Sequence, residues 1–448
     1  MGLSSAINSG ISGLQSFSNS MSVIGNNLAN SNTTGFKASR TLFADLIPDN
    51  LSGSGGISQI GRGATLSNVD NIFSQGAFES TNSSTDLAIE GPGFFIVGHP
   101  DNETDYYTRA GAFRLDKDGQ LTNPEGYRVQ GFQRRQDDTF GDVLEDIVID
   151  TRSFVPAQPT TEVSLTTNLN SESEVLRDTD GNVIPWDINN PTDTSHFATT
   201  SLVYDSLGST HLVTTYFNKT DSNTWEFHQA IAASDIANSA GNETNTAGTL
   251  VVVGEGELTF NEYGLLSGIA SGGTATTPVD ISWPNVSIDP ANLDWNNGAD
   301  NVGHSIEYAM KVTQVASESV VVTQESNGYS TGSLSNISVD SEGIIVGTYS
   351  NGEKRNLAKL ALAKFANNNG LSKIGKNLFE ATTTSGPPDV GTSGSAAGKV
   401  FSNSLEQSTV DIADEFAKMI VTQRSFQANS KTITTTDEML NEVINLKR

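Results

Sequence analysis

The sequence predicts a mainly β chain with a terminal α-helical coiled coil: the N- and C-terminal helices pair, a discontinuous β-domain lies between them, and an outer β-domain is inserted into that one. Three observations predict it. The two ends carry apolar ladders with the 4-3-4-3 rhythm of a helix seam. Between them the period falls to two, with Gly, Asn and Asp at the breaks. Residues 165–324 then stand apart in composition, holding 20 acidic side chains against Arg177, Lys219 and Lys311, together with all four Trp.

The first ladder is Leu3, Ile7, Gly10, Leu14, Phe17, Met21, Ile24 and Leu28. No charged residue precedes Lys37, and most positions off the ladder are Ser, Asn and Gly. Exposed helices ordinarily carry charge pairs on the outer face, and Ser, Asn and Gly are poor helix formers. The expectation is that the ends are disordered in a free subunit and become helical when several copies pack together. The last ladder is Ile412, Phe416, Met419, Gln423, Phe426, Ser430, Ile433, Asp437, Leu440 and Ile444. Its polar members leave two readings open, a private antiparallel pair within one chain or a wall of helices from many chains. Ser404-Leu405-Glu406-Gln407 reads as a capping box opening this helix, and Lys447 and Arg448 suit its C-terminal end.

In order along the chain, residues 41–75 are rich in Gly, Ser and Asn, a composition typical of linkers. From Gly76 short strands follow at 87–89, 94–97, 106–109, 113–115 and 127–129, broken by turns at Gly91-Pro92-Gly93, 116–119 and 123–126. Asp116, Asp118, Asp178 and Asp180 invite a calcium reading, but no cluster has the Gly and Glu spacing of a calcium loop, so they read as turn residues. In the acidic block, strands are expected at 201–204, 211–217, 225–231, 250–253, 258–260, 306–312 and 320–323, with no amphipathic helix. Strand signals continue at 334–339, 344–346 and 356–365, although Leu357–Phe365 has the propensity of a helix.

Several motifs resemble the rod and hook family of bacterial flagellar axial proteins. They are Asn27 through Asn30, then Thr34, Gly35, Phe36 and Lys37; Thr85 through Gly91, Gly93, Phe94 and Phe95; and Tyr107 through Gly111. The closest match is Leu405 to Asp411 with Met419 to Lys431, including Gln423, Arg424 and Asn429, and Asn445 to Arg448; this part is more similar to hook than to rod members. The resemblance covers both ends and the flanking sheet. It implies a helical core at 1–30 and 404–448, connectors at 31–75 and 380–403, a β-domain at 76–164 and 325–379, and the insert at 165–324. It also implies that Leu357–Phe365 is a strand. The function implied is a structural subunit that self-assembles into the curved hook tube. Its seam residues would make the contacts: Leu3, Ile7, Leu14, Phe17, Met21, Ile24, Leu28, Ile412, Phe416, Met419, Phe426, Ile433, Leu440 and Ile444. The partners implied are other copies, distal rod, hook cap and hook-filament junction proteins, and the flagellar export apparatus.

Composition bounds the remaining readings. With 52 acidic and 25 basic side chains, nucleic acid would be repelled. Cys is absent, which removes disulfides, zinc-thiolate sites and thiol nucleophiles. No apolar run reaches the roughly 18 residues of a membrane span, and the N-terminus lacks the pattern of a secretory signal, so export without a cleaved signal is expected. No catalytic, metal or cofactor constellation is found: Gly394 to Lys399 is one residue short of a phosphate loop, with Val400 in place of the hydroxyl. The alternatives are a distal rod-type axial protein or, in another class, a secreted β-rich adhesin or a glycosidase with a carboxylate pair in the acidic block.

Overall fold

The computed structural model describes residues 2–446 apart from 54–55, 103, 136–138, 153, 237–247, 272–273, 276–284, 289–294 and 300–304. Two compact units divide the chain: residues 1–151 with 335–348 and 354–448, and residues 152–334 with 349–353.

In the first unit, helix α1 (Gly2–Ala29) and helix α2 (Ile412–Leu446) pack antiparallel. The start of α2 differs from the capping-box expectation. Ser404–Glu406 is a strand, antiparallel to Phe78–Ser80, and the Glu406 side chain is buried rather than turned back on a helix end. The cap is Asp411, whose Oδ1 accepts the Ala413 and Asp414 N–H groups at 2.8 and 3.2 Å, satisfying donors that no preceding turn can reach.

The linker-like composition of 41–75 contains paired strands. Ser39–Asp45 runs antiparallel to Ala64–Asn71 and lies against α1, which accounts for the uncharged Ser and Asn of that helix. Ser20 Oγ meets Thr41 Oγ1 at 3.1 Å, and Ser16 Oγ donates to the Ala64 carbonyl at 3.1 Å. Asn27 exchanges two hydrogen bonds with the Ser39 backbone, at 2.7 and 2.9 Å. Short polar side chains let a strand edge approach and still satisfy its backbone groups.

The β-core interleaves both halves of the chain. Strand Phe94–Gly98 pairs with Asp105–Thr108, Arg128–Gln133 and Lys354–Lys364, all antiparallel. Residues 357–364 therefore form strand despite the helical propensity of the run, because Leu360 to Ala363 are fully buried between neighbours on both sides. On one face Phe94 packs edge-on to Phe365 and Phe379 at 5.9 and 5.8 Å, and Phe73 closes the cluster. On the other, Phe95 meets Phe113 at 5.1 Å.

The second unit is all β among its described residues, save one short 3-10 turn. A six-stranded antiparallel sheet begins 197–204, 210–221, 224–232 and 250–260, so the two short strands expected at 250–253 and 258–260 are one. A four-stranded sheet joins 162–170 in parallel to 306–315, with 320–326 on its far side. Strand 162–170 runs across the compositional edge at 164. Both sheets contribute to one core that includes Leu165, Phe217, Trp225, Phe227, Trp295, Tyr308 and Met310. Trp283 lies outside the described residues.

One turn chemistry recurs in both units. Asp116, Asn123, Asp178, Asp205, Asn261 and Asp340 each use Oδ1 to accept the N–H groups two and four residues on, at 2.8–3.2 Å. In each the fourth residue is a Gly with φ between 73° and 87°, a conformation that side chains with a Cβ resist. Asp116 and Asp178 thus each have one carboxylate oxygen occupied by backbone donors.

Candidate assembly surface

The paired helices bury small side chains and leave large ones in water. On α1 the buried positions are Gly10, Gly13, Ser16, Ser20, Ile24 and Asn27. A Cβ at Gly10 would stand 2.8 Å from Ile433 Cγ1, and one at Gly13 would stand 3.0 Å from the Asn429 amide, so both glycines are set by the close approach of α2. Further along, Asn27 Nδ2 donates to Glu415 Oε2 at 3.2 Å. Buried positions on α2 are Glu415, Thr422 and Thr436.

Of the predicted seam, Ile24 is buried, while Ile7, Leu14, Phe17, Met21, Leu28, Met419, Ile433 and Leu440 are half-buried. The side chain of Leu3 lies outside the described ones. Phe17 turns toward the strand pair, 5.9 Å from the Phe43 ring. Ile412, Phe416, Phe426 and Ile444 are exposed, joined on α2 by Ile420, Val421 and Met439. Val421 is 64% and Ile444 62% exposed, far above what a helix inside a finished core would show. Between α1, strand 39–45 and α2 an open groove of about 410 Å³ is lined by Val23, Ile24, Thr41, Ala417, Val421 and Thr422 among others.

The motif residues lie chiefly at the roots of the helices. Asn30 Nδ2 donates to the Asn26 carbonyl at 2.8 Å, and its Oδ1 accepts the Thr33 hydroxyl at 3.0 Å, closing the end of α1. The Thr34 carbonyl accepts from Asn377 Nδ2 at 2.9 Å. Gly35 has φ 68° and donates to the Glu406 carbonyl at 2.7 Å; a Cβ there would lie 2.6 Å from the Arg109 backbone. Phe36 is buried beneath the Lys373 ammonium. Gly93 donates to the Ala397 carbonyl at 2.7 Å, while Gly91 offers its own carbonyl to Arg109. Phe94 and Phe95 are core residues. Gln423 and Arg424 are exposed on α2, and Asn429 is half-buried against Gly13.

At these roots lies a polar centre that the sequence reading missed. Glu406 is fully buried, and its Oε1 accepts from Lys37 Nζ at 2.6 Å, the Gly76 N–H at 2.8 Å and Gln75 Nε2 at 3.0 Å. Its Oε2 faces Arg109 Nη1 at 3.4 Å. Lys37 also donates to the Ser74 carbonyl at 2.6 Å, and Arg109 Nη2 to the Gly91 carbonyl at 2.6 Å. Lys37 and Arg109 are 1% and 2% exposed, so one carboxylate answers two buried cations. Burial pushes both cations below their ordinary values, against the pull of Glu406. The available signal was Lys37 itself, the first charge after 36 uncharged residues.

Antiparallel end helices that expose large apolar side chains, rooted in a β-core made from both halves of the chain, define a flagellar axial protein. Four family models match: "Flagella basal body rod protein" over 7–37, "Flagellar hook protein FlgE/F/G D1 domain" over 88–201, "Flagellar basal body protein FlaE D2 domain" over 168–329 and "Flagellar basal body rod FlgEFG protein C-terminal" over 402–446. Among curated relatives, the flagellar hook protein FlgE of Treponema pallidum is 35% identical over 98% of this chain and 99% of its own. That of Borreliella burgdorferi is 35% identical, and that of Salmonella typhimurium 33%, each over 98% of both chains. The chain belongs to the flagellar hook protein family.

Proposed function

We propose that this chain is the structural subunit of a bacterial flagellar hook, polymerising through its terminal helices into a curved, flexible tube that carries motor torque to the filament. The observation that carries the reading is the row of exposed apolar side chains on α2, Ile412, Phe416, Ile420, Val421 and Phe426, in a chain related to hook proteins along its whole length. Copies of α1 and α2 from neighbouring subunits are the natural cover for that row, and covering it would add to the stability of the helix pair on assembly. The acidic unit faces solvent, where like charge keeps its contacts weak and salt-sensitive.

A bent tube that rotates must lengthen and shorten each line of subunits once per turn. The uncharged residues that α1 leaves exposed, among them Asn8, Ser18, Asn19, Ser22 and Asn26, suit such sliding, because no ion pairs have to re-form at each step. Distal rod, hook cap and hook-filament junction proteins are the neighbours this reading assigns, with delivery by the flagellar export apparatus.

Electron microscopy of the concentrated protein tests it, curved tubes being the expected result. Phe416→Asp and Phe426→Asp should abolish tubes while the Trp emission of the second unit stays native. Tubes formed as readily by both variants, or a parent that stays monomeric at high concentration, would overturn the reading.

A further inference from the structure

We propose that Glu406 is a positioning residue for assembly: its buried carboxylate sets the register in which α1 meets α2. The helix seam encodes register poorly by itself. Its specific contacts are few: Gly10 and Gly13 receive Ile433 and Asn429, and Asn27 Nδ2 donates to Glu415 Oε2 at 3.2 Å at the root end, while buried Thr422 and Thr436 are small enough to fit a helix displaced by one turn nearly as well as the native one. Large apolar knobs, which would penalise a slip, are mostly half-buried or exposed.

The rest of the register comes from where the helices are rooted. Lys37 stands eight residues past the end of α1, Glu406 six before the start of α2, and their charged ends meet at 2.6 Å. Around this pair further hydrogen bonds tie the two roots. Gly35 N–H donates to the Glu406 carbonyl at 2.7 Å, Thr409 N–H to the Phe36 carbonyl at 3.1 Å, and Ala38 N–H to Thr409 Oγ1 at 3.0 Å. The same carboxylate gathers Gln75, Gly76 and Arg109, so slippage of either root would leave two buried cations and a backbone N–H without their acceptor. This centre is expensive to displace, and the helices inherit its position.

The inference relies on the assembly reading only for its consequence in the tube. It is tested by disulfide trapping, which is clean because the parent chain has no Cys. Gly13→Cys is combined with Asn429→Cys, its native neighbour, or with Ser425→Cys or Ile433→Cys, one turn away on either side. The full chain is oxidised before and after it is concentrated to assemble, and tubes are scored separately by microscopy.

In the parent the 13–429 crosslink should dominate. With Glu406→Gln the ratio of native to displaced crosslinks should fall at least about tenfold, and Glu406→Asp should recover part of it. If Glu406→Gln fails to fold, Lys37→Met carries the test, since it removes one tie and leaves Arg109 and Glu406 as a single pair. A parental ratio in either folded variant, or no preference for position 429 in the parent, overturns the proposal. Altered crosslinks in a chain that never forms tubes would sink the hook reading and leave this one standing.

Discussion

Glu406 serves two cations from a position with no access to water, and the asymmetry makes a clear prediction about residues. Glu406→Gln leaves Lys37 and Arg109 buried beside a neutral amide, which should cost the first unit about 3–5 kcal/mol. Lys37→Met leaves one cation with one carboxylate and should cost within about 2 kcal/mol. Urea unfolding followed by far-UV circular dichroism checks the order, and equal losses would contradict the charge accounting. The cluster was not legible in the sequence, because Lys37, Gln75, Arg109 and Glu406 are polar, scattered along the chain, and brought together only by folding. Glu406 was even assigned to a helix cap, a local reading that the strand pairing of 404–406 with 78–80 overrides.

The elements themselves were more readable, for physical reasons that differ between helices and strands. Both helix ladders and the alternating strands follow from apolar periodicity, and the Asp/Asn-x-x-Gly turns follow from backbone donors that a short side chain can reach. Less legible was which face of α1 would be buried. The strand pair 39–71 covers a second side of the helix, so Ser16, Ser20 and Asn27 go inside while Leu14 and Phe17 remain half-buried. This close approach of α2 can be tested directly. Gly10→Leu should overpack the helix pair by about 1–3 kcal/mol and lower helical circular dichroism in the assembled chain, and Ile433→Ala in the same chain should restore it. Failure of the second change to compensate would mean that Gly10 and Ile433 do not oppose each other.

For the whole molecule, composition marked the acidic block but not its edges, since charge follows solvent exposure while strands follow pairing. The second unit reaches back to residue 152, and near its ends Phe154 and Val155 pair antiparallel with Ser333 and Gly332. Residues 152–334 alone should therefore fold cooperatively, with native Trp emission and a single thermal transition; a broad, non-cooperative melt would deny the unit its independence. Its acid limit is set in part by Asp205. Burial pushes that carboxyl up, but hydrogen bonds from Asn297, His211 and the Ser209 and Leu207 N–H groups outweigh it and hold the group below its ordinary 3.8. A lowered native value gives stability that is complete above the ordinary value and lost as pH falls through the lowered one. The fragment should loosen below about pH 3.8, and Asp205→Asn should flatten that dependence. The paired strands at 154–155 and 332–333 also form a doorway through which the polypeptide enters and leaves side by side. Any foreign module whose own termini lie a strand's width apart could be spliced there, exchanging the second unit for a chosen cargo.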